Sequence, residues 1–421
     1  MLELNAEQLE MLKKYLSRAM NTEFYMPMKH ILRSLIDSDV DTMLSIFQKS
    51  IPIITKDTII GNEKSFIPKE AYHRIRLTCC SSGTSRGKPS FTFYTGDELL
   101  YFKKLSKRIH NNMLRREFGL GTPALIIVPF FMTAMGAIVF LQLMDVGYNI
   151  SFVDSGAPVA KLTETIKNVG PLIIKTTPDI IYEIIENEVM DGIEIKNVFG
   201  DVEHIQFTGN VIGYARRRQI ESILDVETSE TFGISELGGP LGGECYHKNG
   251  MHFYASEKMI IELDTENKVL DINVIDKPTR GKLIATPLYR EGMILLRYFT
   301  DDIVEIDPNK CGCGDENIRM KFLGKIQYCF RSNKTGEYFT PRDLEETLLS
   351  IDDSIWEFML YVDRDKEKGR LIIEYLWDPK ASINEIKNVL EDILGIKIRV
   401  EKVVFGKINR TKPKRNRIVF V

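Results

Sequence analysis

Residues 81–90 read Ser81-Ser82-Gly83-Thr84-Ser85-Arg86-Gly87-Lys88-Pro89-Ser90 and follow the strand-like run Ile75–Cys80. Small residues let a backbone approach a polyphosphate closely. Successive N–H groups and hydroxyls can cradle its oxygens, and Lys88 adds a point charge for the same anion. The spacing is not that of a P-loop, which has four residues between its glycines and Ser or Thr directly after the lysine; here three separate them and Pro89 follows. The same composition also serves as a polar turn between strands. A second pattern, Cys311-Gly312-Cys313-Gly314, puts two thiols on one tight turn. That suits a metal chelate, a redox contact or two unrelated buried thiols. A third, the basic run from Lys407 to Arg417, reads on its own as a solvated tail.

These groups need elements to hold them. The runs Ala124–Pro129, Asn149–Val153 and Leu172–Lys175 alternate with helical patterns at Gly136–Asp145, Ala160–Val169 and Asp179–Val189, as in an α/β sheet with helical crossovers. Beyond Met251 come closely spaced runs at His252–Ala255, Met259–Leu263, Val269–Ile275, Lys282–Pro287, Leu295–Tyr298 and Ile303–Ile306, which predict a mainly β subdomain. From Gly324 onward, helices over Leu344–Ile351 and Ile383–Leu394 and strands over Trp356–Val362, Arg370–Trp377 and Ile398–Val404 predict a compact α+β domain.

With 421 residues, 43% hydrophobic and 27% charged, the chain has the make-up of a soluble protein of two or three domains. Its formal charge of -3 provides no global basic field for nucleic acid. The uncharged stretch Leu120–Met144 is interrupted by Pro123, Pro129, Gly136 and Gln142, so it reads as a buried strand and a buried helix rather than a membrane span. The N-terminal residues lack the apolar core of a secretory signal, and six cysteines are too few for a disulfide scaffold; a cytoplasmic location is expected.

The loop Ser81–Ser85 with Gly87-Lys88-Pro89 resembles the phosphate loop of the adenylate-forming superfamily of acyl-CoA synthetases, adenylation domains and luciferases. Further segments follow in order. Thr231-Phe232-Gly233-Ile234-Ser235-Glu236 is similar to the aromatic-Gly-x-Ser/Thr-Glu motif, Gly281–Thr286 and Glu291–Asp302 to the segment ending in the ribose-binding aspartate, Gly324-Lys325 to the interdomain hinge, and Asn409–Lys414 to the C-terminal lysine motif. Glu236–Pro240, Glu244-Cys245, Gly250-Met251-His252 and Cys311–Gly314 resemble the phenylacetate-CoA ligase branch in particular.

The resemblance implies a large α/β N-terminal domain with a β-rich subdomain (1–324) and a small α+β C-terminal lid (325–421). It also implies that ATP activates a carboxylic acid to acyl-AMP, which then passes to a thiol, with coenzyme A the expected acceptor and a carrier-protein phosphopantetheine or an amine the alternatives. Ser81, Ser82, Gly83, Thr84, Ser85 and Lys88 would hold phosphates. Gly209, Asn210, Phe232, Gly233, Asp302 and Lys325 would line the nucleotide site, with Asp302 on the ribose. Lys414, Glu236 and Thr84 would be the catalytic groups, Glu236 carrying Mg²⁺. Phe130, Phe131, Ala134 and Gly136 would border the pocket of an apolar or aromatic acid. Cys245, His252, Cys311 and Cys313 would hold a structural Zn²⁺, with His247 the competing nitrogen. No nucleic-acid or membrane partner is expected, and monomer and homodimer both stay open.

Three places depart from the family pattern. Arg86 lengthens the phosphate loop by one residue, Asp301 stands where relatives have glycine, and Lys325-Ile326-Gln327-Tyr328 replaces the branch's usual hinge run. The hinge change bears most on the thiol-transfer step. The rival from another class is a nucleotide-binding scaffold that keeps the fold without the chemistry.

Overall fold

The computed structural model describes residues 2–80, 89–113, 118–129, 134–365, 367–408 and 417–421. An antiparallel hairpin of β1 (Ile75–Cys80) and β2 (Phe91–Thr95) brackets the glycine-rich loop, which lies outside the described residues. Five strands then pair in parallel: β3 (Pro123–Val128), β4 (Asn149–Asp154), β5 (Ile173–Thr176), β6 (His204–Thr208) and β7 (Glu227–Ile234). The helices Ala134–Val146, Val159–Val169, Pro178–Met190 and Tyr214–Leu224 make the crossovers, so the alternation seen in the sequence is borne out. No helix among the described residues is long and apolar enough to cross a membrane, and Leu120–Met144 contains β3 and most of a buried helix. Deep under that helix, Lys175 of β5 donates to Gln142 Oε1 at 3.0 Å, and burial pulls its ammonium down to about 7.

The β-rich region has its own apolar core but shares its sheet with the α/β half. Its strands β8 (Gly239–Glu244), β9 (Met251–His252), β10 (Met259–Asp264), β11 (Val269–Asp271), β12 (Thr279–Pro287), β13 (Tyr298–Asp307) and β14 (Arg319–Lys325) continue the parallel sheet antiparallel. One twelve-stranded sheet results, in the order β11-β10-β12-β13-β14-β9-β8-β7-β6-β5-β3-β4. Two predicted strands shrink: His252–Ala255 enters a 3-10 turn at Tyr254, and Val269–Ile275 does so at Ile272. The apolar run Leu295–Tyr298 is a buried loop rather than a strand. Its amides at Leu295 and Leu296 are met by the hydroxyls of Tyr15 and Tyr25 at 2.8 and 2.9 Å, and Arg297 N by Thr286 Oγ1, so they need no neighbouring strand.

Those tyrosines belong to an N-terminal helical arm. The helix Ala6–Ala19 starts at a capping box between Asn5 and Gln8 and buries Leu12, Tyr15 and Leu16; Asp39 caps the helix Val40–Ser50. The arm then runs beside β13, where Phe299 N donates to Ile54 O at 2.8 Å and Ile54 N to Arg297 O at 3.2 Å.

After Lys325 the chain leaves the large sheet through a 3-10 turn and the short pair β15 (Phe330–Arg331) and β16 (Tyr338–Phe339). Thr340 and Asp343 cap the helix Pro341–Ile351 reciprocally. The strands β17 (Ile355–Val362), β18 (Lys368–Tyr375), β19 (Lys397–Lys402) and β20 (Ile418–Phe420) form a second sheet in the order β19-β18-β17-β20, covered by Ile383–Leu394. The expected α+β module is present, with its own apolar core around Leu344, Phe358, Leu371 and Leu390.

Candidate active site and thiol–imidazole cluster

Glu236 stands two residues past the end of β7 and is 5% exposed. Lys56, which opens the short helix Lys56–Ile59, places its Nζ 2.9 Å from Glu236 Oε1, and Ser90 Oγ donates to the same oxygen at 3.3 Å. Burial alone would raise this carboxyl; the Lys56 ammonium, helped by Lys325, holds it below its ordinary value. Lys56 and Ser90 were not singled out from the sequence. A lysine in Thr55-Lys56-Asp57 carries no motif, and only the packing of the arm against β13 brings it here.

Asp302 is 1% exposed and faces Lys325 across the β13–β14 ladder, with Lys325 Nζ 2.6 Å from Asp302 Oδ1 and 3.1 Å from Thr300 O. Burial would pull the ammonium of Lys325 down, but Asp302, then Glu236 and Asp301, hold it above its ordinary value. Two carboxylate–ammonium pairs, Glu236–Lys56 and Asp302–Lys325, thus stand close enough to feel each other. Asp301 has φ 64°, the left-handed region that favours glycine. Aspartate is among the few side chains that tolerate it, which explains how this position departs from glycine without losing the bulge that β13 makes against β12.

Gly209 and Asn210 close the C-terminal end of β6, where Asn210 Nδ2 donates to Asp179 Oδ2 at 2.8 Å. The Phe232 ring packs between Phe253 and Phe322, and Gly233 next to it lies against β8: a Cβ there would come within 2.7 Å of Gly239 O. Ala134 and Gly136 sit on the first turn of the helix Ala134–Val146, and one turn on Ile138 packs with Tyr94 and Phe102. The candidates Ser81, Ser82, Gly83, Thr84, Ser85, Lys88, Phe130, Phe131 and Lys414 lie outside the described residues.

Cys245, His252, Cys311 and Cys313 come together although 68 positions separate the first from the last (313 − 245). Their ligand atoms all lie within 4.8 Å of one another, with Cys245 Sγ 3.6 Å from Cys311 Sγ and Cys313 Sγ 3.3 Å from His252 Nε2. A tetrahedral zinc with Zn–S near 2.3 Å has ligand–ligand edges of about 3.3–3.8 Å, so the donor set fits that ion. The other imidazole nitrogen, Nδ1, is 3.1 Å from Asn317 O, an outer contact that fixes the ring with Nε2 inward. His247 stands instead beside Gly312, outside this group.

No family model matches the chain. In sequence it is similar to the phenylacetate-coenzyme A ligase of Thermus thermophilus, 25% identical over 327 residues that cover 74% of this chain and 68% of that one. It is also similar to that of Pseudomonas putida, 25% identical over 284 residues covering 62% and 60%. In structure it matches 2-hydroxyisobutyryl-CoA ligase in its postadenylation state with TM-score 0.80 at 16% identity, covering 98% of this chain and 89% of that one. The thioesterification state of the same ligase, with 2-HIB-AMP and CoA, matches at 0.65, with 17% identity and coverage of 98% and 89%. The fold is that of the adenylate-forming acyl-CoA ligases, and the recognition made from the ordered motifs is borne out. Within that class the chain is similar to the phenylacetate-coenzyme A ligases.

Proposed function

We propose that the protein is an acid–thiol ligase that makes an acyl-adenylate from ATP and a carboxylic acid and passes the acyl group to coenzyme A. The observation that carries this reading is the convergence of Glu236–Lys56 and Asp302–Lys325 beside the hairpin that brackets the glycine-rich loop. An oxygen of the acid attacks the α-phosphorus and the bond to the β-phosphate oxygen breaks, releasing pyrophosphate. A thiolate then attacks the acyl carbon, and AMP leaves. Such displacements depend mainly on positioning and on neutralising charge.

The residues divide this work. Residues 81–88 cradle the β- and γ-phosphates, and Asp302 takes the ribose hydroxyls as a two-oxygen acceptor whose charge Lys325 balances. Gly209, Asn210 and Gly233 border the base and sugar, and Lys414 meets the carboxylate and α-phosphate oxygens. Glu236 would hold Mg²⁺; a single buried carboxylate fits an ion that takes its remaining ligands from phosphates and water, and the ion would neutralise polyphosphate charge. Lys56 anchors Glu236 through Oε1 and adds a second cation beside the phosphates. Cys245, His252, Cys311 and Cys313 would hold Zn²⁺ with no open position, a structural role that ties β8, β9 and the 311–313 turn together.

Residues 1–324 and 325–421 act as large domain and lid. The turn from β3 into the helix Ala134–Val146, next to Phe102 and Tyr94, supports an apolar or aromatic acid. Six free thiols accord with a cytoplasmic, reducing location. The test is mass spectrometry of products from protein, ATP, Mg²⁺ and a pool of aromatic and aliphatic acids, with and without coenzyme A. Acyl-AMP that converts to acyl-CoA supports the reading; no adenylate from any acid, with ATP bound, overturns it.

A further inference from the structure

The contact between the large domain and the C-terminal module is unusually polar for its depth. The helix Tyr214–Leu224 has no side-chain cap of its own, and the C-terminal module supplies one. Glu345 accepts from Gly213 N and Glu346 from Tyr214 N and Ala215 N. Glu345 Oε1 also receives Arg216 Nε at 3.2 Å and Arg417 Nη1 at 2.7 Å, all three side chains being almost wholly buried. Arg216 continues to Trp356 O, and Gln219 Nε2 donates to Asp353 O and Ile355 O at 2.7 and 3.1 Å.

The apolar parts exchange as well. Trp356 belongs to the core of the large domain, its Nε1 donating to Glu186 Oε1 at 2.7 Å, while Ala215 of the large domain belongs to the core of the C-terminal module. One carboxylate therefore joins a helix end and an arginine of the large domain to Arg417, which Glu357 also holds at 3.0 Å where β20 begins. A carboxylate with three donors from two bodies is a clasp rather than a surface bridge.

Resting on the proposed function above, we infer that Glu345 is a positioning residue for the adenylate-forming step: it clasps the C-terminal module in the arrangement that makes acyl-AMP and has to let go before thiol transfer. The better match to the postadenylation than to the thioesterification state of 2-hydroxyisobutyryl-CoA ligase accords with this arrangement being the first of the two. Weakening the clasp shifts the population away from that arrangement, so it affects only the half-reaction that needs it.

The test uses the full-length chain with Glu345→Gln, and Arg216→Lys as a second variant from the opposite side. Each half-reaction is followed separately: pyrophosphate release with the acid the wild type selects, tried first with phenylacetate, and thioester formation from its synthetic acyl-AMP and coenzyme A. Expected are a fall of about tenfold or more in the first and a change of less than about twofold in the second. In a Trp377→Phe background Trp356 emission reports docking without turnover and is expected to shift to the red in either variant. Equal loss in both half-reactions, unchanged ratios, or unshifted emission overturns the inference. A wild type that forms no adenylate from any acid overturns the ligase reading itself.

Discussion

Lys56→Met removes the ammonium that faces Glu236 at 2.9 Å in a site where the carboxylate is 5% exposed. Breaking a buried pair by deleting one partner leaves an uncompensated charge, which costs about 3–5 kcal/mol. The Ser90 hydrogen bond and the more distant Lys325 stay, so the lower part of that range is expected. The pH dependence follows from the sign of the shift. In the wild type the folded carboxyl lies below its ordinary value, so its contribution is present above about 4.5 and fades as pH falls through the lower folded value. In Lys56→Met burial dominates and lifts the carboxyl above that value, so the penalty appears as pH rises past about 4.5. Equilibrium urea unfolding at pH 7 and pH 4 should therefore show a deficit of about 3 kcal/mol at the higher pH and less than about 1.5 at the lower. The double variant Lys56→Met/Glu236→Gln should recover to within about 1 kcal/mol of wild type, since no charge is left buried alone. A pH-independent deficit, or a double variant as unstable as the single one, would refute the reasoning.

Other outcomes follow from the same geometry. Protein purified without added metal should contain zinc by elemental analysis, and Cys313→Ser should lose most of it together with several degrees of thermal midpoint; a metal-free wild type would remove the basis for the site. Asp301→Ala should be less stable than Asp301→Gly by about 1 kcal/mol, because both lose the carboxylate and alanine tolerates the left-handed backbone less well, read by urea midpoints. Lys175→Met should raise stability more at pH 6 than at pH 9. Between about 7 and 10.5 the unfolded lysine holds a proton that the folded one has lost, so wild-type stability rises with pH there and the variant's does not.

Much of this was legible from residues alone, and the exceptions have physical reasons. The runs around Leu125 and Ile174 read as strands because fully buried parallel strands are uniformly apolar, the run around Phe152 on the exposed edge strand β4 because its residues favour strands, and the helix Ile383–Leu394 showed its own period. The loop at Leu295 is just as apolar, yet tyrosine hydroxyls satisfy its backbone, which local sequence cannot show. The single large sheet was hidden because β9, the link between its halves, is two residues long. Glu236 and Asp302 stood in motifs, whereas Lys56 gains its meaning only from the chain folding back by 180 positions (236 − 56). The Cys-x-Cys turn was visible alone, but Cys245 and His252 joined it only by resemblance until the pairing of β14 with β9 set them side by side.

The tyrosine-capped loop also has a consequence in time. Tyr15 and Leu295 are 280 residues apart. On a ribosome adding about 5–20 residues per second, the N-terminal arm waits roughly 15–55 s before the backbone it caps has been made. During that interval the core that Leu12, Leu16 and Phe47 share lacks its Met293, Ile294, Leu295 and Leu296 part. The contact of the arm with β13 forms only after β13 emerges. Because that docking also delivers Lys56 to Glu236, the candidate site is completed only after β13 has been made, by a segment synthesised long before it.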